Sequence, residues 1–308
     1  MIRVLDPGPL TTVQDIGRPG YLRFGIPASG PIDPVAFVLA NRLVGNPDDA
    51  AGLECTLGGP RLEILRDTVV AATGADMPLM VNEREEACWR SVRVRGGDII
   101  RLGAATGGVR SYLAVSGGLD VPRVLGSRST YLRGRLGGHS GRALRRGDEI
   151  PMGPSPPSLR ERSVGRDAVP RFGDELVIRV VLGPQAERFT TDGLDTFLRA
   201  SYEMLPQSDR MGARLRGPVI AHARGHDIIS DGVPLGGIQV VGDGQPIVLL
   251  VDRQSTGGYP KIATVCSTDI GRVGQTRPGE RLRFRAITVE AAHALRRAQR
   301  MALDRAIE

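Results

Sequence analysis

A chain of 308 residues, 41% of them hydrophobic and 24% charged, has globular composition. It is long enough for two cores, because single cores stop growing near roughly 250–300 residues. The net charge of +7 comes from arginines scattered along the whole chain, only 4% of residues are aromatic, and no basic stripe alternates with stacking rings, which excludes nucleic acid as the expected partner. The first residues lack a basic stretch followed by an apolar one, and no apolar run approaches the ~20 residues of a membrane span, so a cytoplasmic chain with no membrane partner is expected.

Taken in order, the chain reads as mostly β. Its 41 glycines and 22 prolines fall between short apolar runs, the punctuation of many turns. The first polar, Gly-rich segment is Gln14-Asp15-Ile16-Gly17-Arg18-Pro19-Gly20-Tyr21, followed by residues 25–33. Two readings of it stay open: a loop in which Asp15 pairs with Arg18, or a loop presenting Asp15, Arg18 and Ser29 to a ligand. Asp33-Pro34 opens a predicted helix, with Asp33 as N-cap and Pro34 at the first helical position. Strands are predicted at 68–72, 91–94, 99–102 and 112–115.

Residues 153–171, with Gly-Pro-Ser-Pro-Pro-Ser at their start and little apolar content, suit an exposed linker between an N-terminal β domain (1–160) and a C-terminal β domain (170–308). A helix is expected within 185–202. Further strands are expected at 176–182, 238–241, 247–251, 262–265 and 282–284. Ala291, Leu295, Ala298, Met301 and Ala302 recur at helical spacing, and Arg296, Arg297, Arg300 and Arg305 form the solvated face of that C-terminal helix. Arg95-Gly96-Gly97-Asp98, Arg146-Gly147-Asp148 and Arg277-Pro278-Gly279-Glu280 echo one another as tight turns entering strands.

Several chemistries are excluded. Cys55, Cys88 and Cys266 are odd in number and widely spaced, which suits reduced thiols and predicts neither a disulfide nor a cysteine-bound metal. The chain holds a single lysine, Lys261, and it follows Tyr259-Pro260, so no Walker-type phosphate loop exists. No Gly-x-Ser-x-Gly elbow or His-Glu-x-x-His element occurs; His222 and His226 flank Gly225 without the glutamate and read as turn or surface residues. No metal ligands are expected.

Two more polar segments could carry chemistry. Ser208-Asp209-Arg210-Met211-Gly212 precedes a stretch from Ser230 to Gln239, in which Arg210 and Gln239 are either a buried, satisfied pair or ligand contacts. Asp252-Arg253-Gln254-Ser255-Thr256-Gly257-Gly258-Tyr259-Pro260-Lys261 lies between two apolar strands; Gly257 and Gly258 allow close backbone approach, and the polar side chains suit a small carboxylate or amide. Against 40 arginines, a retained ammonium at Lys261 points to a compact point charge or a titratable amine that arginine cannot supply.

These three segments in this order, with Val4-Leu5-Asp6-Pro7-Gly8-Pro9-Leu10-Thr11-Thr12-Val13-Gln14-Asp15 before them, resemble the allophanate hydrolase subunit 2 family. That family includes the C-subunit proteins of 5-oxoprolinase, the antagonist partner of a sporulation-kinase inhibitor, and the carboxyltransferase half of urea carboxylase. The resemblance runs to about Arg283 and implies tandem cyclophilin-like β barrels with a few short helices and a C-terminal helix. It also implies partners: subunit 1 (the 5-oxoprolinase B-subunit protein, of the kinase-inhibitor type) and a third subunit, which together open 5-oxoproline to glutamate with ATP. No covalently bound cofactor is expected, ATP is used by the complex, and biotin belongs only to the alternative of carboxyl transfer. A non-catalytic regulatory role is the remaining alternative. The resemblance places Asp252, Lys261 and Asp15 among the catalytic candidates and Arg18, Ser29, Arg210, Gln239, Arg253, Thr256, Gly257, Gly258 and Tyr259 among the substrate contacts. One position departs from the family pattern: Asp209 stands where asparagine is usual, losing two donors and adding a charge.

Overall fold

The computed structural model describes residues 1–155, 160–173 and 175–307, and the apolar runs between its glycine turns are strands. The chain divides into two compact units: Met1–Arg18, Ser29–Phe172 and Met301–Glu308 form one, and Pro19–Ala28 with Gly173–Arg300 form the other.

The first unit packs a six-stranded sheet against a five-stranded one. The six-stranded sheet runs Glu149–Ile150, Ile2–Asp6, Arg61–Ile64, Ile99–Leu102, Leu79–Val81, Arg84–Glu86; the five-stranded sheet runs Leu10–Gln14, Gly52–Thr56, Gly107–Val115, Thr68–Asp76, Val92–Val94. One core takes Ile2, Val4, Leu62 and Ile64 from the first sheet and Leu53, Val70, Ala72 and Leu113 from the second. The alternate residues Val69, Ala71, Tyr112 and Ala114 point to the other face of the five-stranded sheet, where the helix Pro34–Leu43 covers them with Ala36, Phe37, Leu39 and Ala40. Burial on both faces is why the strand Thr68–Asp76 reads as a nearly unbroken apolar run. The predicted N-cap is present: Asp33 accepts from the Ala36 N–H, and Pro34 begins the helix.

The three echoed turns share one geometry. In each, the glycine is left-handed (Gly97 φ 94°, Gly147 φ 87°, Gly279 φ 91°), and the acid after it accepts from the backbone N–H three residues before: Asp98 from Arg95, Asp148 from Arg145, Glu280 from Arg277. Asp148 adds a two-pronged pair with Arg142, at 2.7 and 2.8 Å. The Arg142 bond, with the Arg145 amide, holds this carboxyl at about 2, below its ordinary 3.8. A depressed carboxyl stabilises the fold above its ordinary value and loses that contribution as pH falls through the lowered one. Asp148→Asn is therefore expected to lower the thermal midpoint at neutral pH, with the gap to the parent protein closing as the pH is taken from about 4 to about 2.

Part of the expected linker, residues 156–159, lies outside the described residues. The stretch after it is tied into the first unit: Ser91 and Arg162 exchange hydrogen bonds, Ser163 bridges to Arg90, and Val164 bridges to Ile307. Val164 is buried in the same cluster as Trp89, with Val169 packed against it, and this holds the segment down.

The second unit closes a seven-stranded barrel in the order Glu175–Leu182, Lys261–Val265, Gly237–Val240, Pro246–Leu249, Gly212–Arg216, Ser201–Met204, Arg281–Ala286. The seam between its first and last strands is parallel, from Glu175 opposite Arg281 to Val180 opposite Ala286. Ile178, Val180, Leu282 and Phe284 point inward. The helix expected within 185–202 is shorter, a 3-10 turn at Ala186–Arg188 and then Thr191–Arg199, because Thr190 caps it by accepting from the Gly193 N–H. Tyr202 instead belongs to a strand, and its ring and that of Phe197 pack on Phe284 at 5.9 and 4.6 Å. The C-terminal helix is Val289–Arg305; Leu295 is half-buried on it and Met301 is exposed, so the packed face is narrower than the spacing predicts. Among the described residues no helix is long and apolar enough to cross a membrane.

Candidate functional site

In the second unit the Gly-rich loop from Asp252 to Pro260 enters the barrel at Lys261, the first residue of the strand Lys261–Val265. Thr256–Gly257 pairs with Asp231–Gly232 as a two-stranded ribbon, joining the predicted second and third segments. Gln239 lies opposite Lys261 in the barrel, donates to the Tyr259 carbonyl at 3.2 Å and accepts from Gln254 at 3.3 Å. A Cβ on Gly257 would lie 2.6 Å from the Gln239 amide nitrogen, so a larger residue there would push the Gln239 side chain aside. Thr256 and Tyr259 are exposed, and Gly257 and Gly258 are half-buried.

The cations of this loop fall into two groups. Arg210 is taken up by Asp252 (Nε to Oδ2, 2.8 Å), with both side chains nearly inaccessible at 6% and 5%. Such a pair is a fully committed one, as a bidentate carboxylate bridge offers little to a ligand. Arg253 is different. It is buried, donates from Nε to the Val233 carbonyl at 2.9 Å and from Nη1 to that of Leu250 at 3.4 Å, and has no carboxylate partner among the described residues. Burial pulls its guanidinium below the ordinary value, the signature of a cation taken out of water without a counter-charge.

Lys261 is only 1% exposed, yet among the described residues its ammonium meets one acceptor, Oδ2 of Asp231 at 3.0 Å, although it has three donors to satisfy. Asp231 is itself half out in solvent, and Lys261 is the main cause holding its carboxyl below the ordinary range. Gln185 locks the pair: it accepts from the Lys261 N–H at 3.0 Å and donates to Asp231 at 3.1 Å. Lys261 thus hangs on Asp231 and Arg253 on Val233, two positions along one short segment, or roughly 6–7 Å of extended chain.

The first segment's candidates belong to the first unit. The Asp15 carboxylate accepts from Ser127 Oγ (2.5 Å), Ser129 Oγ (2.7 Å), the Arg128 N–H (2.5 Å) and the Gly17 N–H (2.9 Å), so every strong acceptor site is filled by the protein. Arg18 is buried and donates to the Ser129 carbonyl. Ser29 is left-handed at φ 56°, and its buried hydroxyl has no hydrogen-bond partner among the described residues.

The carboxyltransferase domain, subdomain A and B, family model matches residues 24–286. The chain belongs to that family. This carboxyltransferase-family chain is 37% identical over 301 residues to the 5-oxoprolinase C subunit of Escherichia coli K12, covering 97% of this chain and 95% of that protein. It is 34% identical over 304 residues to the 5-oxoprolinase C subunit of Haemophilus influenzae Rd, covering 99% and 97%. The crystal structure of K. lactis urea amidolyase superposes with a TM-score of 0.94 at 34% identity over 99% of this chain, which spans only 20% of that much longer one.

Within this family frame, Asp209 is explained by its contacts: Oδ1 accepts from the Met211 and Gly212 N–H groups at 2.7 and 3.2 Å. Turn-holding of this kind uses acceptors alone, so an acid performs it as an amide would. Gln185 and Asp231 were not among the sequence candidates. Asp231 could have been found from its Ser-Asp-Gly turn, whereas Gln185 lies 76 residues from Lys261 and carries no local signal.

Proposed function

We propose that this chain is the C subunit of an ATP-dependent 5-oxoprolinase complex and that its barrel binds 5-oxoproline between Arg253 and Lys261. The single observation that carries the reading is that two buried cations of the barrel unit, Arg253 with no carboxylate partner and Lys261 with a single acceptor among the described residues, hang on one segment, Asp231 to Val233. 5-Oxoproline presents a carboxylate and, across its ring, a lactam carbonyl. Arg253 would hold the carboxylate, and the Lys261 ammonium would face the carbonyl oxygen and stabilise the negative charge that builds there as water adds. Arg210 and Asp252 then serve as the wall, with Gln239 keeping the glycine loop closed over the ring. The full-length likeness to the two named C subunits supports this reading over others.

ATP makes ring opening run towards glutamate. The chain has no Walker-type phosphate loop, its single lysine following Tyr259-Pro260 rather than a glycine-rich turn into a helix. We place ATP on the partners, the B subunit and a third one. The test is co-expression with those subunits and measurement of glutamate released from 5-oxoproline with ATP. Lys261→Met is expected to lower kcat by about two to three orders of magnitude, the size typical of losing one oxyanion donor, with the complex still assembled. Full activity of that variant would remove the lysine from the reaction.

The fold shared with urea amidolyase supports a second reading, carboxyl transfer, in which the same cations would steady a carboxylate in transit from biotin. Carboxylation of urea dependent on a biotinylated carrier, with no glutamate release, would decide for it.

A further inference from the structure

A cavity of about 480 Å³ lies within the first unit. Its rim is the loop from Arg135 to Gly141, where Arg135 (φ 50°), Gly137 (φ 66°), Gly138 (φ 54°), Ser140 (φ 59°) and Gly141 (φ 66°) are left-handed. Two of these are not glycines, and a left-handed arginine and serine each cost free energy that an idle loop would shed. The loop is also seated too tightly to be accidental: a Cβ at Gly137 would collide with the Ser129 carbonyl oxygen, and one at Gly138 with Thr130 Oγ1.

The amides of this loop divide sharply. Gly138 donates to Arg128, Gly141 to Gly137 and Arg142 to His139, but no protein acceptor among the described residues takes the N–H of Gly137, His139 or Ser140. All three residues line the cavity. Gly138 and Ser140 are left-handed on either side of His139, an alternation of the kind that gathers neighbouring N–H groups into a concave anion site; the Gly138 and Gly141 members are taken by the Arg128 and Gly137 carbonyls, which leaves those of His139 and Ser140. Charge agrees. Arg135 lines the same cavity without a carboxylate partner among the described residues, while the acid in its wall, Asp120, is already paired with Arg128 at 2.7 Å. Val121, Pro122, Val124 and Pro151 make the opposite wall apolar.

We propose that this cavity binds the oxyanion headgroup, carboxylate or phosphate, of a small organic molecule, held by the Gly137, His139 and Ser140 amides and by Arg135, with its apolar body against Pro122 and Val124. The proposal is independent of the 5-oxoproline reading, since it involves none of the barrel residues.

The test is a titration of the isotopically labelled full chain with inorganic phosphate and, separately, with pentanoate, followed by amide NMR. Binding should move the amide protons of Gly137, His139 and Ser140 downfield with one saturating curve. Saturation by phosphate identifies a phosphorylated ligand, and tighter saturation by pentanoate identifies a carboxylate whose tail uses the apolar wall. Arg135→Gln should weaken binding about tenfold, the value of one charge-assisted hydrogen bond. Arg135→Gly removes the same charge while relieving the left-handed backbone, and should weaken it equally in a protein at least as stable. Arg133→Gln is the control for general charge. No saturable shift at these three amides with either anion overturns the proposal, and so does equal weakening by the Arg133 and Arg135 variants.

Discussion

Arg253→Gln is expected to raise the KM of the assembled complex for 5-oxoproline by about a hundredfold while leaving the urea-unfolding midpoint of the isolated chain nearly unchanged. The two halves of this result come from one fact. A guanidinium that is 6% exposed and has only the Val233 and Leu250 carbonyls as partners among the described residues is costly to keep inside the fold, so its removal sacrifices little stability. Losing it from a bound carboxylate strips a buried charge of its partner, a change worth about 2–5 kcal/mol, where every 1.4 is tenfold. Steady-state kinetics and chemical denaturation on the same preparation separate the alternatives. A steep loss of stability with KM unmoved would make Arg253 a structural residue.

The Arg210–Asp252 pair should behave in the opposite way. Asp252→Ala leaves a buried guanidinium beside an empty space and is expected to cost about 3–5 kcal/mol of stability. The double replacement Arg210→Met with Asp252→Leu removes both charges, and should recover most of that loss, because an apolar pair of similar volume does not pay for desolvation. Urea denaturation of the two single variants and the double measures the coupling directly. An Asp252→Ala protein as stable as the parent but inactive would instead give Asp252 the proton-transfer role that its place among the catalytic candidates suggests.

The fold was legible where side chains announce burial. Residues 68–72, 112–115 and 176–182 are β-branched or apolar runs, and each lies within a strand. Strands with little apolar content were not legible: Arg84–Glu86 is Arg-Glu-Glu, and it forms only because it is the returning arm of a hairpin with Leu79–Val81. Tyr202 was drawn into a predicted helix by its neighbours, whereas the barrel core claims its ring. In the candidate site, composition alone marked Lys261, and the glycine pair marked its loop. Which cations are spent could not be read, because the deciding partners are distant: Asp252 lies 42 residues from Arg210, and Ser127 and Ser129 lie 112 and 114 residues from Asp15.

The parallel seam between Glu175–Leu182 and Arg281–Ala286 has a consequence for synthesis. The first strand of the barrel leaves the ribosome about a hundred residues before the strand that shuts it, so its hydrogen-bonding edge stays open through about a third of translation. Closure is a late, long-range event with a correspondingly slow rate. A nascent or truncated chain ending before Arg281 would carry two bare edges where the finished barrel has none, and is expected to aggregate or be degraded. Tags and fusions on this chain are therefore best placed where they do not delay the last strand.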